Sequence, residues 1–386
     1  MSSTSQPQCP AHGVFIFDDN IVFSSNFDNG NLARVDRVKA SSYEFRIWTA
    51  PDNMGTSFQS KHNAWFHFVV SGVPSGSTLR MTIVNASPHS GLYKHDMRPV
   101  YRSNSTNHKW CRIKTSVKIT KAEESAPMQL SFDYNIESTD DKIFFAFTYP
   151  YTYAMVQADL ATMDPHVNNL SDPNAIFWYR ELVNLTRDGR RIDLLTISSC
   201  EGANFNQREP LLSGLFPDAP ASPRGPSFPN KDIIFVSARV HPGEVPAQWT
   251  LKGMISMLLD EGDLVARELR RRYVIKIIPM LNPDGVFRGH FRMDQFGQKF
   301  VSLLSSLLFS RFSKQFSDQP SPLQHNTLQS QSEPLLCRAR SRPARPHPRR
   351  QEAHRPVRLA GKAVRAHGPA RPCLKARLLH IRKRYG

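Results

Sequence analysis

Ile233-Ile234-Phe235-Val236-Ser237-Ala238-Arg239-Val240-His241-Pro242-Gly243-Glu244 is the stretch whose reading decides the fold. Residues 233–236 are a short apolar run with β-branched members, the pattern of a buried strand. Pro242-Gly243 closes it with a turn. A helix pattern follows from Pro246, with proline at the first helical position and Trp249, Met254, Met257 and Leu258 at helical spacing. Tyr273-Val274-Ile275-Lys276-Ile277-Ile278-Pro279-Met280-Leu281 is a second apolar run, closed by the turn Asn282-Pro283-Asp284-Gly285. Strand, helix, strand over this length predicts a βαβ unit with two parallel, buried strands. His241 and Glu244 then flank a turn at the carboxyl end of the first strand, where open α/β sheets place their sites.

Imidazole and carboxylate are both zinc ligand types, and a catalytic zinc site takes three protein ligands and a water. A His and a Glu three apart also arise by chance, so the pair gains meaning only from its place on the sheet. Arg288, His290 and Arg292 follow the second turn. Cationic donors there would suit an anionic substrate such as a peptide carboxylate.

His241-Pro242-Gly243-Glu244, then Pro279-Met280-Leu281-Asn282-Pro283-Asp284-Gly285-Val286, then Arg288-Gly289-His290-Phe291-Arg292 resemble the zinc carboxypeptidases of the cytosolic carboxypeptidase family. The stretch from Phe23 to Leu32, with Tyr43–Trp48 and Phe144–Tyr153, resembles the β-sandwich that precedes the peptidase domain in that family. The resemblance spans about residues 13–298. It implies one Zn2+, with His241 and Glu244 as the first two ligands, and Arg292 polarising the scissile carbonyl or holding the substrate. It also implies removal of glutamate from protein C-termini or side chains. The substrates would be tubulin or other glutamate-rich tails, in the cytosol and on microtubules. At Gly297-Gln298 the resemblance stops. Gln298-Lys299-Phe300-Val301 stands where the family has an Asn-Leu-Asn-Arg segment that grips the terminal carboxylate. The third zinc ligand and the general-base glutamate have no matching segment, so no catalytic residue is assigned and zinc is expected to be weakly held. His325, His347, His354, His367, His380 and Glu352 lie in low-complexity sequence with no strand in front to fix them.

Upstream, Phe15–Phe17, Tyr43–Trp48, Trp65–Val70, Leu79–Val84 and Phe144–Tyr149 are short and often alternate apolar with polar. Pro51-Asp52-Asn53, Ser75-Gly76-Ser77 and Asp140-Asp141 punctuate them. This predicts an antiparallel sandwich with no chemistry of its own. His67 reads as a packed histidine and Asp28-Asn29-Gly30 as a plain turn. Ile192–Ser198 follows the turn Asp188-Gly189 as a hairpin strand, and Phe216–Asn230, with five prolines, reads as a loop.

Residues 338–386 hold sixteen Lys/Arg against the single acidic Glu352, so nearly all of the formal net charge of +17 sits there. Such Arg/Pro/Ala-rich sequence cannot build a core. It could touch nucleic acid or an acidic surface without specificity, or direct nuclear import. The abrupt change of composition reads as an alternative exon, retained intron or frameshift ahead of an evolved basic tail. Five cysteines at irregular spacing point to a reducing compartment. Neither a secretory signal nor a run of ~18 apolar residues is present, so no membrane contact is expected. A phosphate-cradling Gly-x4-Gly-Lys-Ser/Thr loop is absent, which argues against nucleotide hydrolysis.

The expected architecture is α+β with two domains: an antiparallel β-sandwich over 13–155, then the N-terminal half of an α/β zinc-carboxypeptidase domain over 170–298. A low-complexity, basic, disordered tail over 299–386 follows. The expected function is a zinc metallocarboxypeptidase. The alternative is a catalytically inactive truncated isoform that acts as a protein- or acidic-surface-binding module.

Overall fold

The computed structural model describes residues 12–297, apart from 88–91, 94, 107, 122–125, 165–170 and 220, together with the backbone of 377–381. The first eleven residues and the rest of the tail, including His325, His347, His354, His367 and Glu352, lie outside the described residues.

Eleven strands make the front of the chain: β1 (Val14–Ile16), β2 (Val22–Ser24), β3 (Arg34–Arg37), β4 (Glu44–Trp48), β5 (His67–Ser71), β6 (Thr78–Ala86), β7 (Val100–Ser103), β8 (Cys111–Arg112), β9 (Lys118–Lys121), β10 (Met128–Asn135) and β11 (Lys142–Ala146). They form one sheet of order β1-β2-β5-β11-β7-β8 and another of order β3-β4-β6-β10-β9. Alternation explains why they stack. On β6, Leu79, Met81 and Ile83 are buried while Thr78 and Arg80 are exposed. On β10, Leu130, Phe132 and Tyr134 point the same way. Phe23 and Phe145 of the first sheet meet Phe45 and Phe132 of the second with tilted rings. Each buried phenylalanine contributes roughly 1.5–3 kcal/mol. The sandwich departs from a purely antiparallel one at a single pair, β4 with β6, which run parallel.

The second part opens with α1 (Tyr153–Met163), capped by the Thr152 hydroxyl. Then come β12 (Ile176–Leu185), β13 (Arg191–Ser199), a small ribbon of β14 (Asn204–Arg208) with β15 (Pro226–Ser227), β16 (Asp232–Ser237), α2 (Val245–Leu258), α3 (Leu264–Arg272), β17 (Tyr273–Ile278) and α4 (Pro283–Phe287). The sheet order is β12-β13-β17-β16, with β18 (Arg377–Ile381) outermost. β16 and β17 are parallel, as the two apolar runs predict, and β12, β13 and β17 are antiparallel neighbours. Two helices rather than one fill the crossover. Arg270 of α3 joins them by donating to Leu258 O at 2.7 Å, so the end of α2 is satisfied by a buried guanidinium.

The buried stripe of α2 differs from the expected one. Val245, Ala247, Gln248, Leu251, Ile255 and Leu258 face inward. Trp249 is 43% exposed and instead meets Tyr151 edge-on at 4.6 Å. Leu258 is buried and Met254 and Met257 pack against the core at its margin, so of the residues at the expected spacing only Trp249 turns away.

β18 lies in the basic tail. Arg377–Ile381 pairs antiparallel with Ile233–Ser237 of β16. The driving force is plain: without it β16 would present an unpaired row of N–H and C=O groups.

A buried ionic network ties the ribbon to the sheet. Arg224 donates to Glu181 at 2.6 Å and Glu209 at 2.8 Å, and Lys276 of β17 meets the other oxygen of Glu209 at 2.6 Å. The Arg224 guanidinium also lies over the Phe216 ring, 3.5 Å from its centre.

Candidate metal centre at the rim of the sheet

The carboxyl ends of β16 and β17 stay together past the last ladder pair: Leu281 N–H donates to Ala238 O at 3.0 Å and Asn282 N–H to Arg239 O at 3.1 Å. Arg239 then takes a left-handed backbone, φ +56. A residue with a side chain pays strain there. The compensation is visible. Its guanidinium, 1% exposed, donates through Nε and Nη2 to Pro242 O at 3.0 and 2.7 Å and through Nη1 to Tyr151 O at 2.9 Å. Burial pushes its pKa down to about 9, against the pull of Asp28, Glu244 and Tyr151.

The clamped segment is the turn His241-Pro242-Gly243-Glu244, closed by Glu244 N–H to His241 O at 3.1 Å. Glu244 is the N-cap of α2, yet its side chain makes no capping bond to the helix. A carboxylate there sits at the positive end of the helix dipole. Gly243 cannot carry a side chain, because a Cβ would stand 2.8 Å from the Phe291 carbonyl oxygen. Gly243 N–H donates to that same oxygen at 2.8 Å.

His241 is 2% exposed, and its Nδ1 lies 3.0 Å from Arg292 O. A carbonyl only accepts, so Nδ1 carries the proton in this ring orientation and Nε2 keeps its lone pair. An imidazole oriented through Nδ1 by a backbone carbonyl is the usual setting of a histidine that ligates a metal through Nε2.

The second turn is organised by Asn282, whose side chain accepts from Gly285 N–H at 2.9 Å and donates to Met293 O at 3.2 Å. Of the three cationic residues that follow, two are committed elsewhere. Arg288 is paired with Asp188 through two bonds of 2.7 and 2.9 Å. His290 is buried, desolvation pushes its pKa down, and it lies between Asn53 N–H at 3.3 Å and Met293 O at 3.2 Å. These two do not face an anionic substrate, which corrects that expectation. Arg292 is half-buried, and its guanidinium makes no hydrogen bond or ion pair among the described residues. Asp284, the acidic residue of this turn, is occupied by Arg190 at 2.8 Å and Thr186 at 2.7 Å.

The structure thus brings the His241–Glu244 turn against the backbone of Arg292. Among the described residues no group of three or more His, Cys, Asp or Glu side chains could hold a metal ion. As a donor set, a neutral imidazole and a carboxylate fit two of the three protein positions of a zinc centre.

Sequence reasoning missed the front sandwich's part in this rim. Asp52 accepts the N–H groups of Phe291, Arg292 and Met293 at 2.7, 2.7 and 2.8 Å. Asn29 donates to Val286 O at 2.8 Å and Asn31 to Gly289 O at 2.9 Å. Gly289 has φ +68, and a Cβ there would overlap the Gly30 carbonyl. Asp28-Asn29-Gly30 is a turn, but it also grips the peptidase part. These bonds join residues far apart in the chain, so no local pattern announces them.

The chain thus joins a β-sandwich to a mixed sheet whose parallel pair, β16 and β17, leads into the His241–Glu244 turn at its rim. Residues 23–147 match the cytosolic carboxypeptidase N-terminal domain and residues 181–300 match the zinc carboxypeptidase domain. This chain belongs to the cytosolic carboxypeptidase family. It is 39% identical over 300 residues to cytosolic carboxypeptidase-like protein 5 of Danio rerio, covering 72% of this chain and 33% of that protein. Against the Homo sapiens protein of the same name the identity is 38% over 305 residues, covering 72% and 34%. Cytosolic carboxypeptidase 6 of Mus musculus is 32% identical over 280 residues, covering 72% and 45%. The chain therefore spans about a third of the length of the first two relatives. Among solved structures, a metallo-carboxypeptidase from Pseudomonas aeruginosa shares the fold with TM-score 0.53 and 21% identity, covering 76% of this chain and 66% of that one. One from Burkholderia cenocepacia gives 0.51 and 24%, covering 72% and 61%. No helix among the described residues is long and apolar enough to cross a membrane.

Proposed function

We propose that this chain carries the zinc-binding turn and part of the substrate site of a metallocarboxypeptidase that removes glutamate from protein C-termini or side-chain branches. Tubulin-like acidic tails in the cytosol are the proposed substrates. The observation that carries this reading is the anchored imidazole of His241 on one turn with Glu244, at the rim where Arg292 is presented. His241 and Glu244 would hold the ion, with a further ligand from outside the described residues. Zinc supplies Lewis acidity toward a carbonyl and toward water at neutral pH. The Arg292 peptide keeps the His241 ring oriented and its proton on Nδ1. The Arg292 guanidinium would hold a substrate carboxylate or the charge that develops on the scissile carbonyl. No described residue is assigned the role of general base.

A second reading, a non-catalytic module that binds acidic tails, is favoured by the two-member donor set at the described rim. Metal analysis of the purified full chain, with a glutamate-tailed peptide assay, separates the two. Near one zinc per chain and release of glutamate, both lost in His241→Ala, supports the peptidase. Zinc without release supports the module. Absence of zinc in both proteins overturns the metal site.

A further inference from the structure

Asp52 lies in the loop after β4, in the front sandwich, and is 1% exposed. Its carboxylate is turned wholly toward the other part of the chain. Oδ1 accepts from Phe291 N–H, and Oδ2 accepts from both Arg292 N–H and Met293 N–H. Three successive amides converging on one carboxylate form an anion nest filled from within the protein. Charge-assisted bonds of this kind are roughly twice as strong as neutral ones.

The decisive relation is in the peptide between Arg292 and Met293. Its N–H end is held by Asp52 at 2.8 Å, and its C=O end faces His241 Nδ1 at 3.0 Å. A peptide unit is planar, so fixing one end fixes the other. The preceding peptide is held in the same way, through Arg292 N–H to Asp52 and through Phe291 O from Gly243 N–H at 2.8 Å. Two consecutive planes therefore lie between the Asp52 carboxylate on one side and the His241–Glu244 turn on the other. Asp141 offers a contrast within the same sandwich. It accepts from Asn104 and Ser105 N–H at 3.0 Å each, and those bonds stay inside the sandwich.

We infer that Asp52 is a positioning residue for the rim. With His241 and Arg292 in the roles proposed above, its carboxylate sets the rotation of the His241 ring and the direction from which Arg292 reaches the substrate. It touches neither metal nor substrate. Its effect runs through two peptide planes. An asparagine at this position keeps one carbonyl oxygen for the Arg292 and Met293 amides and turns an NH2 toward Phe291 N–H, so it loses one bond of three. Alanine loses all three.

Hydrogen-exchange mass spectrometry on the full chain reads this without any metal. In Asp52→Ala, segments 288–297 and 239–245 should both lose protection, by at least about tenfold, the factor expected for one charge-assisted bond. Asp52→Asn should show a smaller loss in the same two segments, and it carries the test if the alanine variant fails to fold. Asp141→Ala should loosen the sandwich around residues 100–106 and leave 239–245 unchanged. Unchanged exchange at 239–245 in the Asp52 variants, or equal loosening of every segment, overturns the inference. Zinc titration against a chromophoric chelator adds a second readout. Affinity should fall about 10- to 100-fold in Asp52→Ala, the usual effect of removing a partner behind a metal ligand. Zinc binding through His241 that is unaffected by Asp52→Ala also overturns the inference. If wild type and His241→Ala take up zinc equally, the metal-site reading fails, and the exchange data still decide the role of Asp52.

Discussion

Arg239 and Pro242 are joined by a two-pronged hydrogen bond, Nε at 3.0 Å and Nη2 at 2.7 Å from one carbonyl oxygen. The two residues bracket the start of the turn that carries His241 and Glu244. Arg239→Ala removes this fork and the bond to Tyr151 O, and leaves two buried carbonyls with fewer partners. A loss of about 2–4 kcal/mol is expected, together with weaker zinc uptake. Arg239→Lys keeps a charge but not the fork, so it should recover only part. Urea unfolding and metal titration of the three proteins measure both effects. Equal stability of Arg239→Ala and wild type contradicts the clamp.

The network of Arg224, Glu181, Glu209 and Lys276 makes a prediction away from the rim. Removing Arg224 leaves Glu181, whose side chain is 6% exposed, without its cation. Arg224→Ala should destabilise by about 3–5 kcal/mol. Chemical denaturation checks the value. A change under about 1 kcal/mol would mean that water reaches the pair as it does at a surface bridge.

Acid should unfold the sandwich earlier than its carboxylates alone require. His67 is buried among Phe27, Trp65, Trp110 and Phe144, and burial, helped by Arg102, pushes its pKa from 6.5 down to about 3. The folded state keeps it neutral, so the unfolded state takes the proton first as pH falls. Its effect on stability is nil above about pH 7. Below 6.5 stability declines, by at most about 1.4 kcal/mol per pH unit for this proton, until the pH nears 3. His67→Phe should flatten that decline between pH 6.5 and 4 in melting experiments. An identical slope in the variant would remove His67 as the cause.

β18 shields the outer edge of β16. Alternate N–H groups along a strand point to opposite sides, so replacing both Leu378 and Leu379 by proline deletes one ladder donor whichever way the strand faces. The double variant should associate more readily, as light scattering at equal concentration would show. Unchanged scattering would mean that the edge is protected without β18.

The parts legible in the sequence were those with a local code. β16, the Pro242-Gly243 turn, α2 and β17 each announce themselves within a dozen residues, through β-branched runs, turn dipeptides and a proline at the helix start. His241, Glu244 and Arg292 were nominated from motif order, and the structure places the His241 ring against the Arg292 backbone. In α2 only Trp249 departs from the expected face: it is exposed, while Ala247 beside it is buried. Asp52 and Asn29 were read as turn residues and Asn31 as part of the sandwich, and their bonds to residues 286–293 depend on how two parts of the fold meet. Arg239 carried no signal either, since a left-handed backbone at an arginine is a property of the completed turn.

Asp52 and the amides it gathers are some 240 positions apart. During synthesis the earlier part of a chain has time to fold before the later part emerges. The sandwich loop is therefore a mould already set when the Phe291–Met293 backbone arrives to be cast. A peptidase half made by itself would have to shape that backbone without the mould. A survey of disabling changes would then score hits in a sandwich loop that looks remote from any chemistry.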